Sequence, residues 1–139
     1  MTKKKYISDI RNVKSLARIQ GKRLPKPLVL IVCEGITEKL YFEGMRKDFS
    51  STTIEVRIHN AKGSAPINVV NYAEKIGQKS VEPYDYIYCV FDRDSHETFQ
   101  QACEKIVSLS TRKRNPLKIK EAISIICFEI WILLHFKKI

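Results

Sequence analysis

The stretch LVLIVCEGITEKLYF, from Leu28 to Phe42, decides the fold of this chain. Its apolar, mostly branched run ends at Cys33 and is typical of a strand that is buried on both faces of a parallel sheet. Gly35 then permits a tight turn, after which apolar residues recur at helical spacing. The stretch predicts a strand, a turn and a helix, with Glu34 at the carboxyl end of the strand, where open α/β sheets bind ligands.

Glu38 follows Glu34 by one helical turn, so the two carboxylates can point at one site. The alternative interpretation is a solvated acid in a loop, followed by a glutamate that the dipole of the helix N-terminus favours. Taken alone, the stretch leaves both interpretations open.

The rest of the chain repeats this alternation of strand and helix. We predict further strands at residues 54–58, 84–91 and 122–126, and helices at residues 38–47, from residue 66, at 97–109 and at 128–136. The 54–58 strand has one polar face, which puts it near an edge of the sheet. The pattern predicts an α/β, Rossmann-like fold with a mainly parallel sheet of about four strands and helices on both faces.

The length of 139 residues suits one domain with a real core. Residues 1–27 are predicted to form a basic N-terminal arm with a short helix and a proline-containing linker. Residues 28–139 are predicted to form the domain itself.

The charge balance favours an anionic partner. The chain has 25 Lys and Arg against 15 acids, a formal charge of +10 and a pI near 9.5, which indicates nucleic acid. Lys62 and Ser64, in the loop before the second helix, are candidate phosphate contacts, and so is the basic turn Arg112-Lys113-Arg114. Solvated loops are the alternative interpretation for both segments.

The cysteines and apolar segments indicate a cytoplasmic protein. Four cysteines lack the short spacing of a metal site, which is typical of reduced, packed thiols. The N-terminus has no secretory signal, and the most apolar stretch is shorter than the roughly 20 residues of a membrane helix. We therefore expect no membrane partner.

Asp92 and Asp94 form a second acidic cluster at a strand end. Alternate residues of an extended chain point the same way, so these two carboxylates can converge on one cation. Together with Glu34 and Glu38 they would offer only hard oxygen ligands, which suit Mg²⁺ or Mn²⁺. An acidic cation pocket in a basic protein is what phosphodiester cleavage needs.

A different interpretation takes Asp92-x-Asp94 as a nucleotide-sugar metal motif or a phosphatase nucleophile pair. The phosphatase motif expects its aspartates on the first strand with Thr or Val two residues after the second. Here Ser95-His96 follow, so the sequence context disfavours this interpretation.

The last helix is apolar on nearly every side, which predicts that it is buried and that something covers it. Glu129 in that setting is either paired or metal-bound, or it lies at the helix N-terminus, where water and the helix dipole stabilise it. His135 is either a ligand or, more commonly for such a position, a hydrogen-bonded core histidine.

Three motifs together resemble the RloB-like proteins, which carry a Toprim-type domain. They are CEGITEKLYFE (Cys33–Glu43), FDRD (Phe91–Asp94) and SIICFEIWILLHF (Ser124–Phe136), and the resemblance runs from about Leu28 to the end of the chain. It implies a compact Toprim-like fold. By position it also implies Glu34 as general acid or base, Asp92, Asp94 and Glu38 as magnesium ligands, and Glu129 and His135 in a supporting role.

The resemblance further implies a nuclease of DNA or RNA from a restriction or phage-defence (abortive infection) system, often with an ATPase partner. The alternative from a different class is a non-catalytic Toprim module that binds nucleic acid or the ATPase. Two features depart from the family pattern. Ser124–Cys127 reads Ser-Ile-Ile-Cys where relatives have Ser-Asn-Pro-Cys, and the chain stops soon after His135-Phe136. We therefore expect a domain truncated at its C-terminus, with the last helix covered by another subunit or by further sequence.

Overall fold

The computed structural model describes residues 26–49, 53–93 and 97–136. The predicted N-terminal arm lies outside this range except for Lys26 and Pro27. The described residues form four strands, β1 (Leu28–Cys33), β2 (Glu55–Asn60), β3 (Tyr86–Arg93) and β4 (Ile119–Ile125). They also form four helices, α1 (Ile36–Asp48), α2 (Pro66–Lys79), α3 (Phe99–Thr111) and α4 (Phe128–Phe136).

The four strands make one all-parallel sheet in the order β2-β1-β3-β4. The predicted Rossmann-like α/β fold is confirmed, and β2 is an edge strand as its polar face indicated. From β1 the chain first adds β2 on one side and then returns to add β3 on the other. The boundary between β1 and β3 is therefore the topological switch point, where such sheets leave a crevice at their carboxyl edge.

Helices cover both faces of the sheet. The α2 and α3 side holds the larger core, in which Leu30, Ile87 and Phe91 are fully buried. The α1 and α4 side holds a smaller core around Cys33, Val90 and Phe128. Burying each large apolar side chain contributes about 1.5–3 kcal/mol, so the larger core contributes most of the hydrophobic stabilisation.

All three later strands have boundaries that differ from the predicted ones, and two of the differences matter most. β3 continues to Arg93, so Asp92 lies inside the strand and not after it. β4 begins at Ile119, three residues before the predicted start at Ala122, because Ile119 pairs with Ile87 and extends the ladder through the polar pair Lys120-Glu121. Polar side chains are tolerated there because β4 is the other edge strand of the sheet.

We predicted that α4 would be buried on all sides, but within the described part of the chain most of its side chains are exposed. Phe128 is the only residue of this helix classed as buried, while Trp131 is 50% and Phe136 84% exposed. The reason is its position, since α4 follows an edge strand and packs only on the margin of the sheet and on α1. None of the described helices is both long enough and apolar enough to cross a bilayer.

Candidate functional site at the β1–β3 switch point

Glu34 lies at the switch point and bonds to β3 through both its backbone and its side chain. Its backbone N–H donates to the Val90 carbonyl at 3.1 Å, which continues the ladder beyond β1. Its carboxylate oxygen Oε2 accepts the backbone N–H of Asp92, also at 3.1 Å. The two predicted site acids are therefore adjacent, and a direct bond sets their relative position.

Asp92 presents its side chain to the face covered by α1 and α4. Residues of a strand alternate between faces, so Asp92 lies on the same face as Val90, which belongs to the smaller core. Across the sheet Asp92 is in register with Ser124 of β4. Asp94, the second predicted magnesium ligand of this motif, lies outside the described residues.

Glu38 is only 6% exposed, and within the described chain it is the one charged residue classed as buried. Gly35 makes room for it, because a Cβ on Gly35 would lie 2.8 Å from Glu38 Oε2. The Glu38 charge also reaches the end of β1. Burial first, and the neighbouring Glu38 and Glu43 carboxylates next, raise the pKa of the Cys33 thiol to about 12.

The donors at this edge are oxygens. The described residues include no group of three or more His, Cys, Asp or Glu side chains that could share one metal ion. A magnesium ion, however, is commonly held by one or two carboxylates with water and substrate phosphate as its other ligands. Asp92 is suited to that arrangement, with the Glu34 carboxylate beside it, and the protonated Cys33 thiol offers no thiolate ligand that would favour zinc.

Glu129 and His135 both lie on the surface of α4. Glu129 is exposed in the first turn, where the helix dipole and water stabilise it, as one of the two predicted alternatives held. His135 Nε2 lies 2.8 Å from the Tyr41 hydroxyl, which also accepts the indole N–H of Trp131 at 2.9 Å. This bonded group joins α4 to α1, and the sequence motifs alone did not indicate it.

The predicted phosphate contacts fall at opposite edges of the sheet. Lys62 and Ser64 are exposed in the loop between β2 and α2, at the carboxyl edge that also carries Glu34. The first turn of α2 reaches the β3–α3 connection, where the Ile67 N–H donates to Thr98 Oγ1 at 3.4 Å. The basic turn from Arg112 to Arg114 follows α3 and precedes β4, so it lies at the amino edge, away from the acids.

His59 and Asn60, at the carboxyl end of β2, were not among the predicted site residues. His59 Nδ1 lies 3.0 Å from the Tyr72 hydroxyl, and burial, followed by the charges of Lys39 and Arg57, lowers the pKa of its imidazole. Asn60 is in register with Cys33, and its Oδ1 is buried without a hydrogen-bond partner among the described residues. They directly follow the strand predicted at residues 54–58, and this position could have identified them as candidate site residues.

Comparison with known proteins agrees with the motifs. The family profile described as RloB-like protein matches residues 29–139. The chain belongs to the RloB-like family. The match covers β1 from its second residue and all the later described strands and helices of this RloB-like chain, and it includes Glu34, Asp92 and α4. Searches of curated proteins and of solved structures each gave no significant match.

Proposed function

We propose that this RloB-like protein is a magnesium-dependent nuclease of the Toprim type, which cleaves a phosphodiester bond of DNA or RNA. The observation that supports it most directly is the Glu34–Asp92 contact, which puts two carboxylates at the switch point of a parallel sheet. The net charge of +10 supports a polyanionic substrate, because a basic chain attracts the phosphates of nucleic acid even though the site itself is acidic.

In this proposal each acid has its own role. Glu34 would exchange a proton with the attacking water or the leaving oxygen, and Asp92, with Asp94 and Glu38, would hold Mg²⁺ or Mn²⁺. When bound, the divalent cation polarises the phosphate and lowers the pKa of its water. The bond from the Asp92 N–H keeps the Glu34 carboxylate beside Asp92. Lys62 and Ser64 position flanking phosphates at the same edge.

The biological setting is proposed from the family. A nuclease of this kind would act in the cytoplasm, in restriction or phage defence, with an ATPase partner that controls it. Glu129 and His135 would then act from the outer surface of α4, which the described residues leave exposed.

Cleavage assays test the proposal. Supercoiled plasmid and a structured RNA are incubated with the protein and Mg²⁺, Mn²⁺ or a chelator. Glu34→Gln and Asp92→Asn are each expected to lower the cleavage rate by about a hundredfold or more, as loss of an acid–base group or a metal ligand does. Glu104→Gln, an exposed acid on α3, is the matched control and keeps the wild-type rate.

Two results would count against the nuclease. Cleavage that survives both site substitutions would come from a contaminant or from another site. Salt-dependent nucleic-acid binding that persists in chelator, with no cleavage in Mg²⁺ or Mn²⁺, would identify the non-catalytic Toprim module instead.

A further inference from the structure

A cavity of about 570 Å³ opens between β4, α1 and α4. This volume is in the range of small-molecule sites. Four aromatic rings line it, those of Tyr41, Phe42, Phe128 and Trp131, and none of its described lining residues is charged. The cavity is therefore suited to a flat group with apolar faces.

The aromatic rings are held in place before any ligand arrives. The Trp131 indole N–H donates to the Tyr41 hydroxyl at 2.9 Å, which fixes the indole plane. The Tyr41 ring in turn meets Phe128 edge to face, with 5.3 Å between centroids and 78° between planes. Rings that are already ordered lose little side-chain entropy when a ligand stacks on them.

The cavity adjoins the acid site. Val90 and Ser124 line its inner wall. Asp92 is two residues beyond Val90 on the same face of β3 and is in register with Ser124. Because neighbouring strands lie about 5 Å apart, the cavity wall at Ser124 is directly beside Asp92.

A cationic side chain, that of Lys120, lies near the end of the cavity that is farther from Asp92. Lys120 is exposed on the same face of β4, two residues before Ala122, which lines the cavity. A ligand lying along the cavity would thus have the cation site near Asp92 at one end and an ammonium group at the other. Together with the charge of +10, this arrangement favours a ligand that alternates flat rings with phosphates.

We propose that the cavity binds an unstacked base of a single-stranded segment of DNA or RNA whose phosphodiester lies at Glu34 and Asp92. The inference rests on the proposed nuclease function and adds to it a preference for substrates with unpaired bases. The base stacks on Trp131, and sequence-tolerant stacking supplies affinity beyond the phosphate contacts.

Trp131 provides a direct probe, because it is the only tryptophan in the chain. The full chain in chelator, where a metal-dependent enzyme does not cut, is titrated with thymidine and uridine oligonucleotides of roughly 12 residues, a length within known single-strand site sizes. We expect saturable quenching of Trp131 fluorescence by one or both oligonucleotides, and the stronger response identifies DNA or RNA. A duplex of the same length quenches much less.

Substitutions separate stacking from general affinity. Trp131→Ala is expected to weaken oligonucleotide binding, measured by anisotropy of a labelled strand, on the order of tenfold. Leu133→Ala, an exposed residue of the same helix that does not line the cavity, stays within about twofold. Ala122→Phe fills the cavity and leaves Trp131 in the chain. It is expected to reduce both quenching and binding.

Three outcomes would overturn the inference. Absence of quenching in the unaltered chain excludes base stacking, and this measurement does not depend on how well any variant folds. Equal binding by the wild type and by the Trp131→Ala and Ala122→Phe variants excludes it as well. A dimer in light scattering that Trp131→Ala dissociates would assign the cavity to a second copy. If Mg²⁺-dependent cleavage depends on Glu34 but the cavity tests fail, only this inference is wrong; if quenching holds without cleavage, the nuclease proposal fails instead.

Discussion

The Glu34 carboxylate accepts the backbone N–H of Asp92 at 3.1 Å, and the two residues are 58 positions apart in the chain. The bond crosses from the turn after β1 to the end of β3. The same carboxylate that the proposed chemistry uses therefore also fixes the local backbone of the second acid, and substitutions at Glu34 act on both.

Substitutions at Glu34 that keep or remove an acceptor oxygen should separate these two effects. Glu34→Gln keeps an acceptor for the Asp92 N–H, so we expect unfolding free energy within about 1 kcal/mol of wild type but loss of cleavage. Glu34→Ala leaves that N–H without its carboxylate partner and should cost about 1–2 kcal/mol, discounted from the value for a fully buried charged bond because Glu34 is half-buried. Urea denaturation measures both; equal stability of the two variants would show that the bond contributes nothing.

Gly35 and Gly44 provide an opposed pair of glycine substitutions. A Cβ at Gly35 would meet Glu38 Oε2 at 2.8 Å, whereas a Cβ at Gly44 meets nothing within 4 Å. Gly35→Ala should therefore displace the Glu38 carboxylate and destabilise by about 1 kcal/mol, while Gly44→Ala should stabilise α1 by about 0.5–1 kcal/mol.

A double-mutant cycle identifies the cause of the Gly35 effect. Gly35→Ala should cost less in a Glu38→Ala background, since the clashing carboxylate is gone. Additive effects, measured by chemical denaturation, would mean that Gly35 is needed for another reason.

Ile126 has a left-handed backbone, with φ of 76°, in the turn between β4 and α4. That conformation costs a β-branched residue about 1–2 kcal/mol, so Ile126→Gly should be net stabilising by about 0.5–1 kcal/mol even after its entropic cost. Ile125 is the matched control, because it is equally exposed at 70% but lies in β4, where glycine should destabilise. Thermal melts that move in the same direction for both variants would contradict the strain argument.

His59 should make stability depend on pH. Because burial lowers the pKa of its imidazole in the folded chain, the unfolded chain takes up a proton more readily, and the free energy of unfolding falls as the pH drops through about 6.5. His59→Gln should flatten that part of the profile. Tyr72→Phe removes the hydrogen bond but not the burial, so it should lower stability while keeping the slope. An unchanged slope in His59→Gln would assign the pH dependence to other groups.

The sequence predicted most where a segment's own residues decide its structure. β1 runs from Leu28 to Cys33 as predicted, because an unbroken branched run that ends at Glu34-Gly35 has one reasonable structure. The convergence of Glu34 and Asp92 followed from the polarity of parallel strands. Their hydrogen bond did not, since it depends on β3 extending past Phe91 to pair with β4.

What the sequence missed depends on distant packing. The helical pattern predicted α4 within its observed bounds, yet its exposure follows from β4 being an edge strand, which no local pattern encodes. The Tyr41–His135 contact joins residues 94 positions apart and requires α1 and α4 to lie side by side. The opposite placements of Lys62 and of the Arg112–Arg114 turn likewise became visible only with the strand order.

The strand order also sets when the site can exist during folding. The Glu34–Asp92 bond exists only when β3 is paired beside β1, and β2 and α2 separate these two strands along the chain. A nascent or partly unfolded chain therefore has both acids but no site. If the proposed cleavage uses this pair of acids, it would depend on the β1–β3 pairing and would be absent from a chain that has not yet formed it.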